Sequence, residues 1–146
     1  MVGRRFSYGM NDLEHQGGWV DEREMGMAMS QRRALVTGSS SGIGRAMTER
    51  LLAEGWSVVG LARKHDKYAP GGQYEPIAVD LADLEHLSAT LKAVVGRCSF
   101  DAVISNAGYG DFGALETYAV HQIRRFLDVN LTAHLVVARA VVPGLK

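Results

Sequence analysis

One eight-residue stretch, Thr37-Gly38-Ser39-Ser40-Ser41-Gly42-Ile43-Gly44, places three glycines between two apolar runs. The run before it, Ala34 to Thr37, is predicted to be a strand, and the run from Ile43 to Glu54 is predicted to be a helix. A helix N-terminus presents free N–H groups and the positive end of the helix dipole, and glycines lack the Cβ atoms that would hold an anion away. The stretch therefore predicts a phosphate-binding turn.

The chain beyond this turn alternates strand-like and helix-like runs. Further strands are predicted at Ser57 to Leu61, Gln73 to Val79 and Asp101 to Ser105. A helix follows the third strand, and a long helix covers about 117–142, with an apolar stripe predicted to be buried that comprises Ile123, Phe126, Leu127, Leu131 and Leu135. This alternation is typical of βαβ units. It predicts an α/β, Rossmann-like, doubly wound parallel sheet containing about the first four strands, in the order 3-2-1-4.

Length and composition set the broad class. The 146 residues suffice for about one domain. Hydrophobic residues make up 47% and charged residues 22%, as in ordinary globular domains. Sixteen basic residues balance sixteen acidic ones, so no charge footprint for nucleic acid is present. The single cysteine, Cys98, excludes an internal disulfide and a multi-cysteine zinc site, and the histidines have no metal-ligand spacing. No metal is therefore expected.

The first 30 residues differ from the rest of the chain. They have no apolar repeat, and residues 1–30 are predicted to be a flexible N-terminal extension before a partial Rossmann dinucleotide-binding domain at 31–146. No run of about 18 apolar residues predicts a membrane span, and no signal peptide is recognisable. The expectation is a cytoplasmic protein with no membrane partner.

The glycine spacing and three later motifs point to a family. Gly-x-x-x-Gly-x-Gly behind Thr37 resembles the cofactor loop of short-chain dehydrogenases/reductases, and it lacks the Lys-Ser/Thr end of a triphosphate loop. Asp80-Leu81 resembles the pair that fixes the adenine end of the cofactor in that family. Asn106-Ala107-Gly108 resembles its Asn-Ala-Gly motif, and Asn130 its helix asparagine, which holds a water of the catalytic proton relay. The resemblance implies hydride transfer between a nicotinamide cofactor and a small-molecule carbonyl or alcohol.

The end of the second strand predicts which nicotinamide cofactor binds. An acidic residue there accepts from the ribose 2′-hydroxyl of NAD, whereas arginine suits the 2′-phosphate of NADP. The chain has Arg63-Lys64 and no carboxylate before Asp66, which predicts NADP(H) in preference to NAD(H). The predicted cofactor-binding set is Thr37, Gly38, Ser39, Ser40, Ser41, Gly42, Ile43, Gly44, Arg63, Asp80, Leu81, Asn106, Ala107 and Gly108.

The chain departs from the family in its catalytic part. The family uses a serine and a Tyr-x-x-x-Lys pair, because a nearby cation favours the phenolate of a tyrosine with a pKa near 10. The residues four positions after the five tyrosines are Asp12, Gly72, Ala78, Gly113 and Gln122. Since none is lysine and no serine follows Ser105, the chain alone is predicted to be inactive.

The predicted half-sheet has consequences for stability and assembly. Its fourth strand would be an open edge exposing Val103 and Ile104, which predicts marginal stability and association when the chain is alone. Because the long helix contributes to subunit interfaces in the family, the resemblance implies a homo-oligomer or association through the 117–142 helix.

Two other functions are compatible with parts of the sequence. A non-catalytic NADP(H)-binding module, or half of a partner-completed assembly, would keep the glycine turn without the catalytic part. A methyltransferase that uses S-adenosylmethionine shares the turn and the fold class but fits Thr37 and Asn106-Ala107-Gly108 poorly. His134 lacks a partner carboxylate at useful spacing and is interpreted as a core or interface histidine.

Overall fold

A four-stranded parallel sheet forms the centre of the computed structural model, which describes residues 31–145. The strands are β1 (Arg33–Thr37), β2 (Ser57–Ala62), β3 (Tyr74–Ala78) and β4 (Ala102–Ile104). Their order is β3-β2-β1-β4. The parallel register places Leu35 of β1 beside Val59 on one side and Val103 on the other. The predicted strand order is confirmed, and the predicted flexible extension at 1–30 lies outside the described residues.

Helices connect the strands. They are α1 (Gly42–Ala53), α2 (Leu84–Val95), α3 (Val120–Leu127) and α4 (Ala133–Val141). A π turn at Asp128–Thr132 joins α3 to α4, and a short 3₁₀ turn at Val142–Gly144 ends this long helix. Asp83 caps α2 by accepting the N–H of His86 at 3.0 Å. Gly55, with a φ of 81°, follows α1 in the left-handed conformation that ends many helices.

The main core lies between the sheet and the pair α2 and α4. Leu87, Leu91 and Val94 of α2 pack there with Val137 and Val141 of α4. Burying a leucine fully is worth about 1.5–3 kcal/mol, so α2 and α4 are held mainly by this apolar contact. The opposite face of the sheet is covered by α1. This arrangement brings the carboxyl ends of the strands, where α1 begins, to one edge of the sheet.

The long helix buries a different stripe from the predicted one. Its buried residues are Val129, Ala133, Val137 and Val141. The predicted buried residues are exposed instead, at 37% for Ile123, 39% for Phe126, 49% for Leu127, 55% for Leu131 and 62% for Leu135. Two positions along a helix rotate the side chain by about 200°, so the prediction selected the opposite face. Both faces are apolar, and periodicity alone does not indicate which one meets the sheet.

The exposed stripe makes the long helix apolar over much of its length. The segment Val120–Gly144 is long and apolar enough to meet the length and composition criteria for a membrane span, contrary to the expectation from the sequence. Core helices of soluble proteins also meet these criteria. Only 22% of its most apolar window is buried, so a large apolar surface is uncovered.

The edge formed by β4 is open, as expected. Within residues 31–145 no strand pairs with its outer side. Val103 and Ile104 are half-buried, in contrast to the fully buried Leu35 and Val36 of β1. Among the described residues, β1 and β2 are therefore paired on both sides, whereas β4, like β3 at the opposite end of the sheet, is an edge strand.

Candidate functional site

A cleft of about 1390 Å³ lies at the carboxyl ends of the strands. Between β1 and β4 the chain connections leave the sheet in opposite directions, and ligands of open α/β sheets bind at such switch points. The cleft exceeds the roughly 300–1,000 Å³ of pockets for drug-sized molecules, so it suits an extended ligand.

Most of the predicted cofactor-binding residues line this cleft. They are Gly38, Ser40, Ser41, Gly42, Ile43, Arg63, Asp80, Leu81, Asn106, Ala107 and Gly108. The structure thus brings together four segments that are far apart in the chain. Thr37, Ser39, Gly44 and the predicted catalytic Asn130 lie outside the cleft wall.

The glycine-rich turn provides donors without blocking access. Gly38 adopts a φ of 69°, which L side chains rarely adopt, and its N–H donates to Leu61 O at 2.8 Å. Ser41, the N-cap of α1, makes no side-chain capping bond, and the first turn of α1 contains no acidic residue. The first N–H groups of α1 are therefore left for an external acceptor at the cleft wall. A phosphate fits this donor set.

Gly44 and Thr37 fix the conformation of the glycine-rich turn through close packing and hydrogen bonds. A Cβ at Gly44 would overlap the carbonyl oxygen of Gly38 and the side-chain nitrogen of Asn106, so the close packing requires glycine. The buried Thr37 Oγ1 accepts the N–H groups of Asn106 and Ala107, both at 3.0 Å. Asn106 Nδ2 donates in turn to Thr37 O at 3.1 Å. These bonds lock the turn after β4 onto the turn after β1.

Ser39 has a different environment from the rest of the turn. It is fully buried, and its hydroxyl lies 2.9 Å from the hydroxyl of Tyr74 on β3. The side chain therefore faces the neighbouring strands and not the cleft.

Positive charge surrounds Asp80 at the other end of the cleft. Arg125 of α3 donates to Asp80 Oδ2 at 2.8 Å, and the N–H of Ala82 donates to Oδ1 at 3.0 Å. Partial burial alone would raise the pKa of Asp80. The hydrogen bonds from Arg125 and Ala82 and the charges of Arg125 and Arg63 outweigh it, so the pKa of Asp80 is lowered. Asp80 is thus held ionised within the field of two arginines.

Asn130, in the π turn, ties the long helix to the loop after β4. Its Oδ1 accepts the N–H of Tyr109 at 3.1 Å, and its Nδ2 donates to Phe126 O at 2.9 Å. A Cβ at Gly108 would lie 2.8 Å from Asn130 Oδ1, so the loop passes close to this amide. The amide of Asn130 therefore anchors the loop. Its role in a proton relay stays a prediction.

His134 makes a second tie one helical turn later. Its Nε2 lies 2.8 Å from Ala107 O, and its Nδ1 contacts the hydroxyl of Ser105. A carbonyl oxygen only accepts, so Nε2 carries the proton. The bonds of Asn130 and His134 to the loop orient the long helix, which explains why Val137 and not Leu135 is buried. The sequence pattern does not contain this information.

Among the described residues, no group of three or more histidine, cysteine or carboxylate side chains is arranged to hold a metal ion. Cys98 is a free, half-buried thiol near the end of α2.

The match to known families covers nearly all of the described chain. Residues 32–146 match the short chain dehydrogenase family model. The chain belongs to the short chain dehydrogenase family. Its members are oxidoreductases with a Rossmann fold that binds a nicotinamide dinucleotide. Residues of the glycine-rich turn, Asp80-Leu81 and Asn106-Ala107-Gly108 line the cleft of this chain.

Individual relatives share this region. A 3-oxoacyl-[acyl-carrier-protein] reductase of Vibrio harveyi is 31% identical over 125 residues, which cover 82% of this chain and 51% of that protein. A metagenomic short-chain oxidoreductase solved in complex with NADP is 33% identical, with a TM-score of 0.71 over 77% of this chain and 56% of that one. An NADP-bound putative gluconate 5-dehydrogenase from Beutenbergia cavernae is 29% identical, with a TM-score of 0.73 over 80% of this chain and 49% of that one. The chain thus spans about half the length of these relatives.

Some residues of the site escaped the sequence analysis. Arg125 reaches Asp80 across 45 positions, and Tyr74 bonds both Ser39 and His65. No motif joins these residues, because the contacts are made only when distant elements pack. Two basic residues, Arg124 and Arg125, stand in the last turn of α3, but the sequence does not show that Arg125 meets Asp80.

Proposed function

We propose that this chain binds NADP(H) in the cleft, in preference to NAD(H), as the cofactor-binding part of a short-chain oxidoreductase. The observation that carries the proposal is the position of Arg63 and Lys64 on the cleft wall directly after β2, where no carboxylate competes for the ribose 2′-hydroxyl. The neighbour solved in complex with NADP supports binding of this cofactor in the cleft.

The residues of the cleft suit successive parts of the cofactor. The first turn of α1 would receive the pyrophosphate, Arg63 the 2′-phosphate, and Asp80-Leu81 the adenine. The bound cofactor supplies or accepts hydride, and its partner would be a small-molecule carbonyl or alcohol. The chain's own part is to bind the dinucleotide and orient it along the strand ends.

We further propose that these 146 residues bind the cofactor without turning it over. The sequence has no tyrosine followed by lysine four positions later. The chain would then act as a non-catalytic NADP(H)-binding module or as half of a partner-completed assembly. The exposed stripe of the long helix favours association, with another copy of the chain or with such a partner, because Leu131 and Leu135 are more than half exposed.

Titration of NADPH and NADH, followed by cofactor fluorescence, tests the cofactor proposal. Arg63→Ala should weaken NADPH binding by about tenfold or more, because a charged hydrogen bond is lost, and change NADH binding by less than about twofold. Arg139→Ala, at an exposed position on α4, is the matched control. Equal affinities for both cofactors in the parent chain, unchanged by Arg63→Ala, would overturn the preference for NADP(H).

A further inference from the structure

A chain of three hydrogen bonds lies beneath the cleft, outside the residues that line it. Ser39 Oγ and the hydroxyl of Tyr74 are 2.9 Å apart, and the Tyr74 hydroxyl lies 3.0 Å from His65 Nδ1. His65 Nε2 lies 3.1 Å from Ile77 O. We call Ser39, Tyr74 and His65 the relay. It connects the glycine-rich turn to β3 and to the loop that follows Arg63.

The chemistry of the last acceptor fixes one donor of the relay. Ile77 O only accepts, so His65 Nε2 donates to it. His65 Nδ1 and the Tyr74 hydroxyl share the next hydrogen bond, and the hydroxyls of Tyr74 and Ser39 share the third. Burial raises the pKa of Tyr74, which keeps this phenol protonated at neutral pH. Every member therefore has a defined partner.

The surroundings show that the relay is built into the core. Tyr68, which is buried, packs edge-on against Tyr74 with ring centroids 5.2 Å apart. Gly60, in the middle of the buried strand β2, lies beneath the contact between Ser39 and Tyr74, and a Cβ there would overlap both hydroxyls. Glycine in a strand interior weakens the strand, so its presence here fits the close approach of the two side chains.

The relay also fixes the segment next to Arg63. His65 is two positions beyond Arg63, and its carbonyl accepts the N–H of Tyr68 at 2.8 Å, which closes a turn. The ring of His65 is bonded on both sides, so this turn is tied to β3 at Ile77 and to the glycine-rich turn through Tyr74. Arg63 itself lies at the exposed start of the segment that the relay holds.

We propose that the relay determines cofactor specificity by positioning Arg63 relative to the glycine-rich turn. The turn and the Arg63 segment would then bind the pyrophosphate and the 2′-phosphate of one NADP(H) molecule at a fixed separation. Such preorganisation favours the ligand that contacts both segments, whereas NAD(H) lacks the 2′-phosphate and gains less. The inference rests on the proposed function, and it adds Ser39, Tyr74 and His65 as positioning residues that do not touch the cofactor through their side chains.

Two single variants of the full chain test the relay. Tyr74→Phe keeps the ring against Tyr68 and removes only the hydroxyl. His65→Ala removes the hydrogen bonds of the ring to Tyr74 and to Ile77 O, which hold the segment after Arg63. Each should weaken NADPH binding by about fivefold and NADH binding by less than about twofold, since one or two hydrogen bonds of ordinary strength are lost. The ratio of the two affinities is the measurement, and His86→Ala, at an exposed position on α2, is the matched control.

The outcomes separate the two proposals. A purely structural role would weaken NADPH and NADH by the same factor, and an unchanged ratio in both folded variants overturns the relay proposal while leaving NADP(H) binding intact. If the parent chain binds neither cofactor, the proposed function fails, and the relay proposal fails with it. Far-UV circular dichroism checks that each variant is folded. If Tyr74→Phe does not fold, the affinity ratio of His65→Ala tests the proposal.

Discussion

The glycine-rich turn and the long helix are both identifiable in the sequence, yet they differ in how far their contacts follow from it. In the turn, each glycine has one conformation or one close neighbour that requires it, as at Gly38 and Gly44. The long helix has apolar residues on two opposite faces, and only the one with Val137 meets the core. Backbone constraints are local, so they can be predicted from the sequence of the turn. Which of two apolar helix faces is buried depends on the rest of the fold.

The largest expected effect comes from placing one charge on each face of the helix. Val137→Asp should lower the free energy of unfolding by about 4 kcal/mol or more, because an unpaired carboxylate would be buried against α2. Leu135→Asp, two positions away on the 62% exposed side, should cost less than about 1 kcal/mol. Urea unfolding followed by circular dichroism measures both.

The same two variants also test whether the exposed stripe of the long helix forms a contact between copies of the chain. If the exposed stripe associates with another copy, Leu135→Asp should also lower the apparent mass in sedimentation experiments. Similar losses of stability for the two variants would contradict the assignment of the buried face.

An effect of intermediate size is expected in the glycine-rich turn. Gly44→Ala should destabilise the fold by about 1–3 kcal/mol, because the new methyl group would displace the Gly38 carbonyl or the Asn106 amide. Gly110→Ala is the control, since a Cβ there meets nothing within 4 Å. Thermal unfolding and NADPH titration of both variants provide the measurement. If Gly44→Ala behaves like Gly110→Ala, the turn is less constrained than its geometry indicates.

The smallest effect concerns the ion pair of Asp80 and Arg125, which links the segment after β3 to the long helix. The pKa of Asp80 is lowered in the folded chain. Ionised Asp80 therefore stabilises the fold at a pH above its unfolded-state pKa of about 3.9, and this contribution is lost as the pH falls through the folded-state pKa. Because the side chains are 40% and 44% exposed, the contribution should be below about 1 kcal/mol.

A double-mutant cycle isolates this pair. Asp80→Asn and Arg125→Gln should each lower stability slightly at pH 7, and their effects should be less than additive. The difference between the parent chain and Asp80→Asn should disappear as the pH falls below about 4. A difference that grows on acidification would contradict the sign of the shift.

The sequence was sufficient for much of the fold and of the cleft. Strand and helix positions and the cleft-lining motifs follow from local patterns, because strand alternation and the phosphate-binding turn are properties of contiguous residues. The strand order follows from the Rossmann-like fold that this alternation predicts. The prediction of which stripe of the long helix is buried was wrong, because Asn130 and His134 orient the helix through hydrogen bonds to a distant loop. Arg125, Tyr74 and His65 were missed because their partners lie on other elements.

The strand order also has a consequence for how the chain folds as it is synthesised. Along one side, β1 meets a strand only 24 positions later, as in the contact of Arg33 with Ser57. Along its other side, the contact of Arg33 with Asp101 spans 68 positions. The unit of β1, α1 and β2 can therefore close early, while the second edge of β1 waits for β4 to leave the ribosome. During that interval one side of β1 has no strand partner, so its backbone N–H and C=O groups on that side are unpaired.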